Sequence, residues 1–81
     1  MNIQLIQGDF SSKEALELIT QMIHVKIKYH ENKIANNNNE EDIKHRESKI
    51  KNLQKELFEA RNTIDVKTKN IKLDGIIKIE L

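Results

Sequence analysis

Histidine and carboxylate side chains are the residue types in this chain that could bind a metal ion or transfer a proton. The 81 residues include three histidines and 13 Asp and Glu residues, and no cysteine. His24 and His30 lie on one predicted helix at a spacing that points their side chains about 120° away from each other. Glu41 and His45 have the i, i+4 spacing of two ligands, but this spacing is also common on solvated helices. We therefore predict neither a metal site nor a cofactor.

A nucleophilic enzyme needs a serine, threonine, cysteine or lysine that a neighbouring group activates. Ser11 is accounted for as a predicted helix cap, and the other serines are Ser12 and Ser48. Two glycines are too few for a glycine-rich phosphate loop, and a short chain divided between helices and strands leaves little room for a pocket. The sequence therefore predicts a protein that is not an enzyme.

Lys26, Tyr29, His30 and Lys33 lie along one strip of the first predicted helix. The two lysines fall between apolar faces of that helix, where polar residues are not expected. One interpretation is a small cationic and aromatic site for an anion or an acidic partner. The other is that the lysine stems lie along apolar surface and that His30 contacts Glu47 across a helical hairpin.

A weak basic patch is formed by Lys67, Lys69 and Lys72, which precede or begin the last apolar segment. Lysines at such positions can contact nucleic-acid phosphates, or they can protect the edge of a strand. The formal net charge is only +1, and the three aromatic residues are spaced for packing rather than for stacking on bases. The pattern disfavours nucleic-acid binding but leaves it as the alternative function.

The chain opens with a strand pattern that leads into a helix. Residues 2–7 alternate apolar and polar side chains, which predicts a strand that ends at Gly8 and Asp9. Ser11 and Glu14 have the spacing of a capping box, so a helix is predicted over about residues 12–34. Its apolar residues form two faces, which indicates two packing partners. One face comprises Ala15, Leu18, Met22, Val25 and Tyr29, and the other comprises Leu16, Ile19, Ile23, Ile27 and Ile34.

A second helix is predicted over about residues 41–64, after an asparagine-rich loop over residues 35–40. Either Asn39 or Asp42 is suited to cap it. Its apolar residues follow a seven-residue repeat that only Arg46 interrupts, as in a coiled coil. Because the loop is short, the two helices are predicted to form an antiparallel hairpin.

The last segment, residues 71–81, alternates apolar and charged side chains and predicts a second strand. Antiparallel helices bring both strands to the same end of the hairpin, so the strands should pair in a single β-α-α-β domain of the α+β class over residues 1–81. Asp74 and Gly75 suit a local hairpin turn or a bulge in one continuous strand. The continuous strand is favoured because the alternation persists beyond Gly75.

A two-stranded sheet leaves both edges open, and dimerisation is predicted to complete it. The same edge could instead accept a strand from a different protein. The candidate oligomer interface comprises Leu18, Met22, Val25, Ile77, Ile79 and Leu81.

The chain resembles a group of small uncharacterised bacterial proteins. The resemblance rests on Gly8-Asp9-Phe10-Ser11 with Glu14-Ala15, on Lys26-Ile27-Lys28-Tyr29-His30, and on Ile77-Lys78-Ile79-Glu80-Leu81. It implies a strand–helix–helix–strand fold and no particular activity.

The composition indicates a small protein of balanced charge. Its hydrophobic fraction is 37%, it has no long apolar run, and the first residues do not have the pattern of a signal peptide. We therefore expect a cytoplasmic protein without a membrane partner. The function predicted from the sequence is a homo-oligomeric assembly or protein-interaction module, with a homodimer favoured.

Overall fold

The computed structural model describes residues 1–64 and 70–81 and has the element order strand, helix, helix, strand. The elements are β1 (Asn2–Phe10), α1 (Ser12–Ala35), α2 (Glu40–Thr63) and β2 (Ile71–Lys78). The strands form one antiparallel sheet, which confirms the predicted α+β class and β-α-α-β order. Within the described residues, neither helix is long and apolar enough to cross a membrane.

The helix starts follow from their capping residues. Ser11 accepts a hydrogen bond from the backbone of Glu14, and the Glu14 carboxylate accepts one from the backbone of Ser11, so the predicted capping box is confirmed. Hydrogen bonding by the Ser11 side chain, and then by its backbone N–H, lowers the pKa of the Glu14 carboxyl. The side chain of Asn39, rather than Asp42, caps α2 by accepting from the backbone of residues 41 and 42.

The sheet contains one irregularity, opposite Gly75. Gln4 pairs with Ile76 whereas Ile6 pairs with Gly75, so Leu5 is an extra residue in β1. β2 runs through Gly75 without a turn, which confirms the continuous strand. A side chain at position 75 would bring its Cβ within 3.2 Å of the Ile6 Cγ2 atom, so glycine permits this close pairing.

The bulge at Leu5 changes which residues of β1 share a face. Partners in an antiparallel pair lie on the same face of the sheet, so Ile3, Ile6 and Phe10 lie with Ile71, Leu73 and Ile77. We call this the apolar face of the sheet. The opposite, polar face of the sheet carries Asn2, Gln4, Gln7, Asp9, Lys72, Asp74, Ile76 and Lys78.

The predicted end of β1 at Gly8 and Asp9 is wrong. The strand continues to Phe10 because Gly8 adopts a φ of +140°, a conformation open to glycine, and still pairs with Leu73. The other strand is shorter than predicted, since β2 ends at Lys78 rather than at residue 81.

The molecule is thin, and its core is small. Its extents are 47 × 32 × 13 Å. Among the described residues, the buried apolar side chains are Ala15, Leu53, Leu57 and Ile64. Ala15, Leu57 and Ile64 lie toward the end of the hairpin that adjoins the strands, whereas Leu53 lies near the middle of α2.

Candidate functional site

The predicted strip on α1 divides into a buried histidine and an exposed aromatic ring. His30 retains only 4% of its accessible surface, and its Nδ1 atom lies 3.1 Å from Nη1 of Arg46 on α2. The interpretation that His30 contacts Glu47 is therefore wrong by one residue, because the hairpin register places Arg46 opposite it. Tyr29 stays half exposed and meets the His30 ring edge-on.

Arg46 connects this strip to the start of α2. Its Nε atom donates to the Asp42 carboxylate at 3.1 Å, and its guanidinium lies 5.7 Å from the centre of the Tyr29 ring. Asn37 donates a second hydrogen bond to the same Asp42 oxygen. The bond from Arg46 is the main reason that the pKa of Asp42 is lowered. Arg46 is thus held by groups from both helices, and its partner Asp42 is also bound by Asn37 of the loop between them.

The two lysines of the strip are separated. The Lys33 ammonium lies 5.8 Å from the centre of the Tyr29 ring, on the same ring as Arg46. Lys26 instead borders a shallow hollow with Lys49 and Glu56 of α2. Of the predicted strip, the structure groups Tyr29, His30 and Lys33, and it adds Arg46, which the sequence had marked only as an interruption of the apolar repeat.

The charged groups of this cluster bind one another, while Nε2 of His30 has no hydrogen-bond partner among the described residues. The guanidinium is engaged by Asp42 and His30, and desolvation of His30 is the first cause of its lowered pKa, followed by the charges of Arg46, Lys49, Lys26 and His45. Among the described residues, no three His, Asp or Glu side chains are placed to hold a metal ion. The arrangement therefore indicates a structural role at the loop end of the hairpin.

An open groove runs along one side of the hairpin. It has a volume of about 820 Å³, and Ile27 and Leu57 lie in it with Val25 and Phe58. Val25 is 71% exposed and Phe58 is 66% exposed. Polar side chains including Lys28, Glu31 and Arg61 complete the lining.

The six residues of the candidate oligomer interface fall into three places. Leu18 and Met22 are half-buried beside β1, where they line a hollow with Leu5 and Phe10. Val25 lies one helical turn beyond Met22 and is exposed in the groove. The other three are exposed: Ile77 lies in β2, and Ile79 and Leu81 follow its end. We call residues 71–81 the tail strand. The predicted face of α1 that carries Leu18, Met22 and Val25 is thus partly covered by the sheet and partly open.

The tail strand combines an uncovered apolar face with a free edge. On the apolar face, the exposed fractions are 38% for Ile3, 44% for Ile77 and 40% for Ile79. Ile79 exchanges both backbone hydrogen bonds with Met1, at 2.7 and 3.1 Å. Because hydrogen-bonding direction alternates along a strand, the backbone groups of the even-numbered residues of β2 point away from β1. Within the described residues, β2 has no second neighbouring strand.

Only one residue of the predicted basic patch can be located. Lys67 and Lys69 lie outside the described residues. Lys72 lies on β2, where it is exposed and pairs with Asp9 of β1 on the polar face.

Comparisons with protein-family models, with curated proteins and with solved structures give no match for this chain. The resemblance to small bacterial proteins therefore stays a prediction.

Proposed function

We propose that this chain is a non-enzymatic assembly module that forms a homodimer through its tail strand. The observation that carries the proposal is the surface that the single chain leaves exposed. A compact protein of 9.5 kDa exposes about 5,000 Å², whereas this chain exposes 6787 Å². Its radius of gyration is 15.2 Å, against about 12 Å for a compact chain of this length.

The excess surface is large enough to form a stable interface. It amounts to about 1,700 Å² for one chain, and a standard interface buries about 800 Å² on each partner. The exposed apolar residues of the tail are next to a free strand edge, so one contact between two copies would cover both. Burial of side chains such as Ile77 and Ile79 is the main source of stability for such an interface.

The experiment is light scattering on a sizing column, from micromolar to several hundred micromolar protein. We expect a dimer mass for the natural sequence and a monomer mass for Ile79→Asp. Ile79 is 40% exposed in the single chain, so the isolated fold can accommodate a carboxylate there, whereas a dry interface cannot.

Two control variants test the location of the interface. Val25→Asp places the same charge on the groove, and Lys26→Ala removes a side chain on the other side of α1. Both should remain dimeric. A monomer at every concentration would contradict the proposed function, and loss of the dimer in either control with Ile79→Asp intact would contradict the tail-strand interface.

A further inference from the structure

The geometry points to one strand register for the proposed homodimer, on which this inference rests. In this register β2 pairs antiparallel with β2 of a second copy, and Ile76 of one chain faces Ile76 of the other across the two-fold axis. The edge of β2 suits this contact better than the edge of β1. β2 is regular from Ile71 to Lys78, whereas β1 carries the bulge at Leu5 and the unusual backbone of Gly8. Bulges are a common means of blocking the edge of a sheet.

The charges on the polar face of the tail are arranged symmetrically about Ile76. Asp74 and Lys78 lie two residues to either side of it, and Lys72 and Glu80 lie four residues to either side. With Ile76 on the two-fold axis, Asp74 therefore faces Lys78 of the second copy, and Lys72 faces Glu80. Each contact occurs twice, and directly opposed unlike charges stabilise an antiparallel pair.

Neighbouring registers place like charges opposite each other. Centring the pair on Gly75 sets Lys72 against Lys78, and centring it on Ile77 sets Asp74 against Glu80. Centring the pair on Asp74 sets two aspartates opposite each other, and centring it on Lys78 sets two lysines opposite each other. A two-fold axis between two residues would set the apolar face of one strand against the polar face of the other, which a half-buried sheet does not allow.

Two more distant registers pair unlike charges but match less of the strand. Centring on Ile79 pairs only residues 77–81, and centring on Leu73 pairs residues 70–76 of the described strand, whereas the Ile76 register matches residues 71–81. The Ile76 register therefore combines the longest overlap with complementary charge.

The same register also suits the apolar face. It places Ile77 opposite Gly75 of the second copy and Ile79 opposite Leu73. The exposed residues of one tail thus lie beside the inner part of the other sheet, where Leu73 is half-buried and Gly75 has no side chain to obstruct Ile77. Ile76, which is 53% exposed on the polar face, packs against its own copy.

Charge reversal at positions 74 and 78 tests the register directly. In Asp74→Lys, the introduced lysine would face Lys78 of the second copy, and in Lys78→Asp, two aspartates would face each other. We expect each variant alone to self-associate at least about tenfold more weakly than the natural chain, because two attractive contacts become repulsive. Within one chain the cross-strand neighbours of these positions are the uncharged Gln7 and Asn2, and the side chain that donates to Asp74 is the uncharged Gln4. Neither reversal therefore creates a repulsive cross-strand pair in the monomer.

Mixing the two variants is the decisive step. In the Ile76 register, the two opposed pairs at positions 74 and 78 are attractive in the natural dimer, repulsive in each variant alone and attractive again in the mixed dimer. In that register, position 74 of one chain faces position 78 of the other, so the Asp74→Lys chain sets two lysines against the two aspartates of the Lys78→Asp chain. We expect a heterodimer, detected by native mass spectrometry or by fluorescence transfer between labelled chains, with an affinity close to that of the natural homodimer. Glu17→Lys makes the same kind of charge reversal on α1 and should self-associate normally.

The outcomes separate this inference from the proposed function. If the natural chain is a monomer, the proposed function fails together with the register. If the natural chain dimerises but both reversal variants dimerise equally well, or if mixing them produces no heterodimer, the dimer stands and the Ile76 register is wrong. Circular dichroism of each variant establishes that weakened association does not come from unfolding.

Discussion

The hydrogen bond between His30 and Arg46 determines the protonation state of the buried ring. A guanidinium group only donates hydrogen bonds, so Nδ1 of His30 must be the acceptor. The proton of the neutral ring therefore lies on Nε2, which is buried and has no hydrogen-bond partner among the described residues. Protonation would add the second N–H of the ring, at Nδ1. This positive group would face Arg46 in a region that also contains Lys26 and Lys49.

This geometry predicts that the fold loses stability in mild acid. The pKa of His30 is lowered from 6.5, mainly by desolvation and then by the charge of Arg46, so the unfolded chain binds the proton more readily. The stabilising contribution is complete above pH 6.5 and is lost as the pH falls through the lower pKa of the folded state. Urea denaturation at pH 7.5 and 5.5 should show a smaller free energy of unfolding at pH 5.5.

Two histidine variants test whether His30 causes that loss of stability at low pH. His30→Gln keeps a polar side chain but removes the titrating group, so the difference between the two pH values should shrink. His24→Gln removes an exposed histidine from the same helix and should leave the difference unchanged. An equal loss of stability in the natural chain and in His30→Gln would disprove the role of His30. Asp42 does not contribute to the difference in stability between pH 7.5 and 5.5, because its pKa is lowered from an ordinary value of 3.8.

The same pair of residues shows what sequence periodicity could and could not predict. The apolar repeat of α2 correctly indicated that position 46 faces α1, and the hairpin register placed it within one residue of the partner of His30. The residue type at position 46 argued against burial, because arginine is rarely inside a protein without a partner. Its partners, Asp42 on the same helix and His30 on the other, become visible only when both helices are in place.

At the level of elements, the capping box at Ser11 joins the sheet to the hairpin. Phe10 ends β1 and Ser12 begins α1, so Ser11 is the only residue between a strand and a helix. We expect Ser11→Ala to lower the free energy of unfolding by about 1 kcal/mol, because the backbone of Glu14 loses its hydrogen-bond acceptor. Ser12→Ala is the matched control and should cost little, since Ser12 lies inside the helix. Equal effects of the two substitutions in urea denaturation would argue against the cap.

The bulge in β1 illustrates why the strand faces could not be predicted from alternation alone. Ile3 and Leu5 alternate with polar neighbours, which indicates that they share one face of the strand. The pairing with β2 instead makes Leu5 the extra residue and brings Ile3 onto the face of Ile6 and Phe10. The position of the bulge depends on the close approach of Gly75 in the other strand, a long-range contact that the local pattern does not contain.

At the scale of the whole molecule, the sequence predicted the order of elements but not how little of the fold is buried. Capping residues and apolar periodicity are local, and they located both helices and the pairing strands. Burial depends on how the elements lie together, and in this chain the sheet covers only part of α1. The result is a flat molecule with a minimum extent of 13 Å, close to the thickness of a single helix with its side chains.

A flat chain with so small a core should depend on its partner for stability, which predicts a concentration-dependent unfolding temperature. If dimerisation through the tail supplies much of the buried apolar surface, mass action raises the midpoint as the protein concentration rises. We expect calorimetry over about a tenfold range of protein concentration to show an increase of roughly 2–6 °C for the natural chain. Ile79→Asp should unfold at a lower temperature that does not change on dilution. A midpoint that is independent of concentration in the natural chain would mean that the small core of one chain is sufficient by itself.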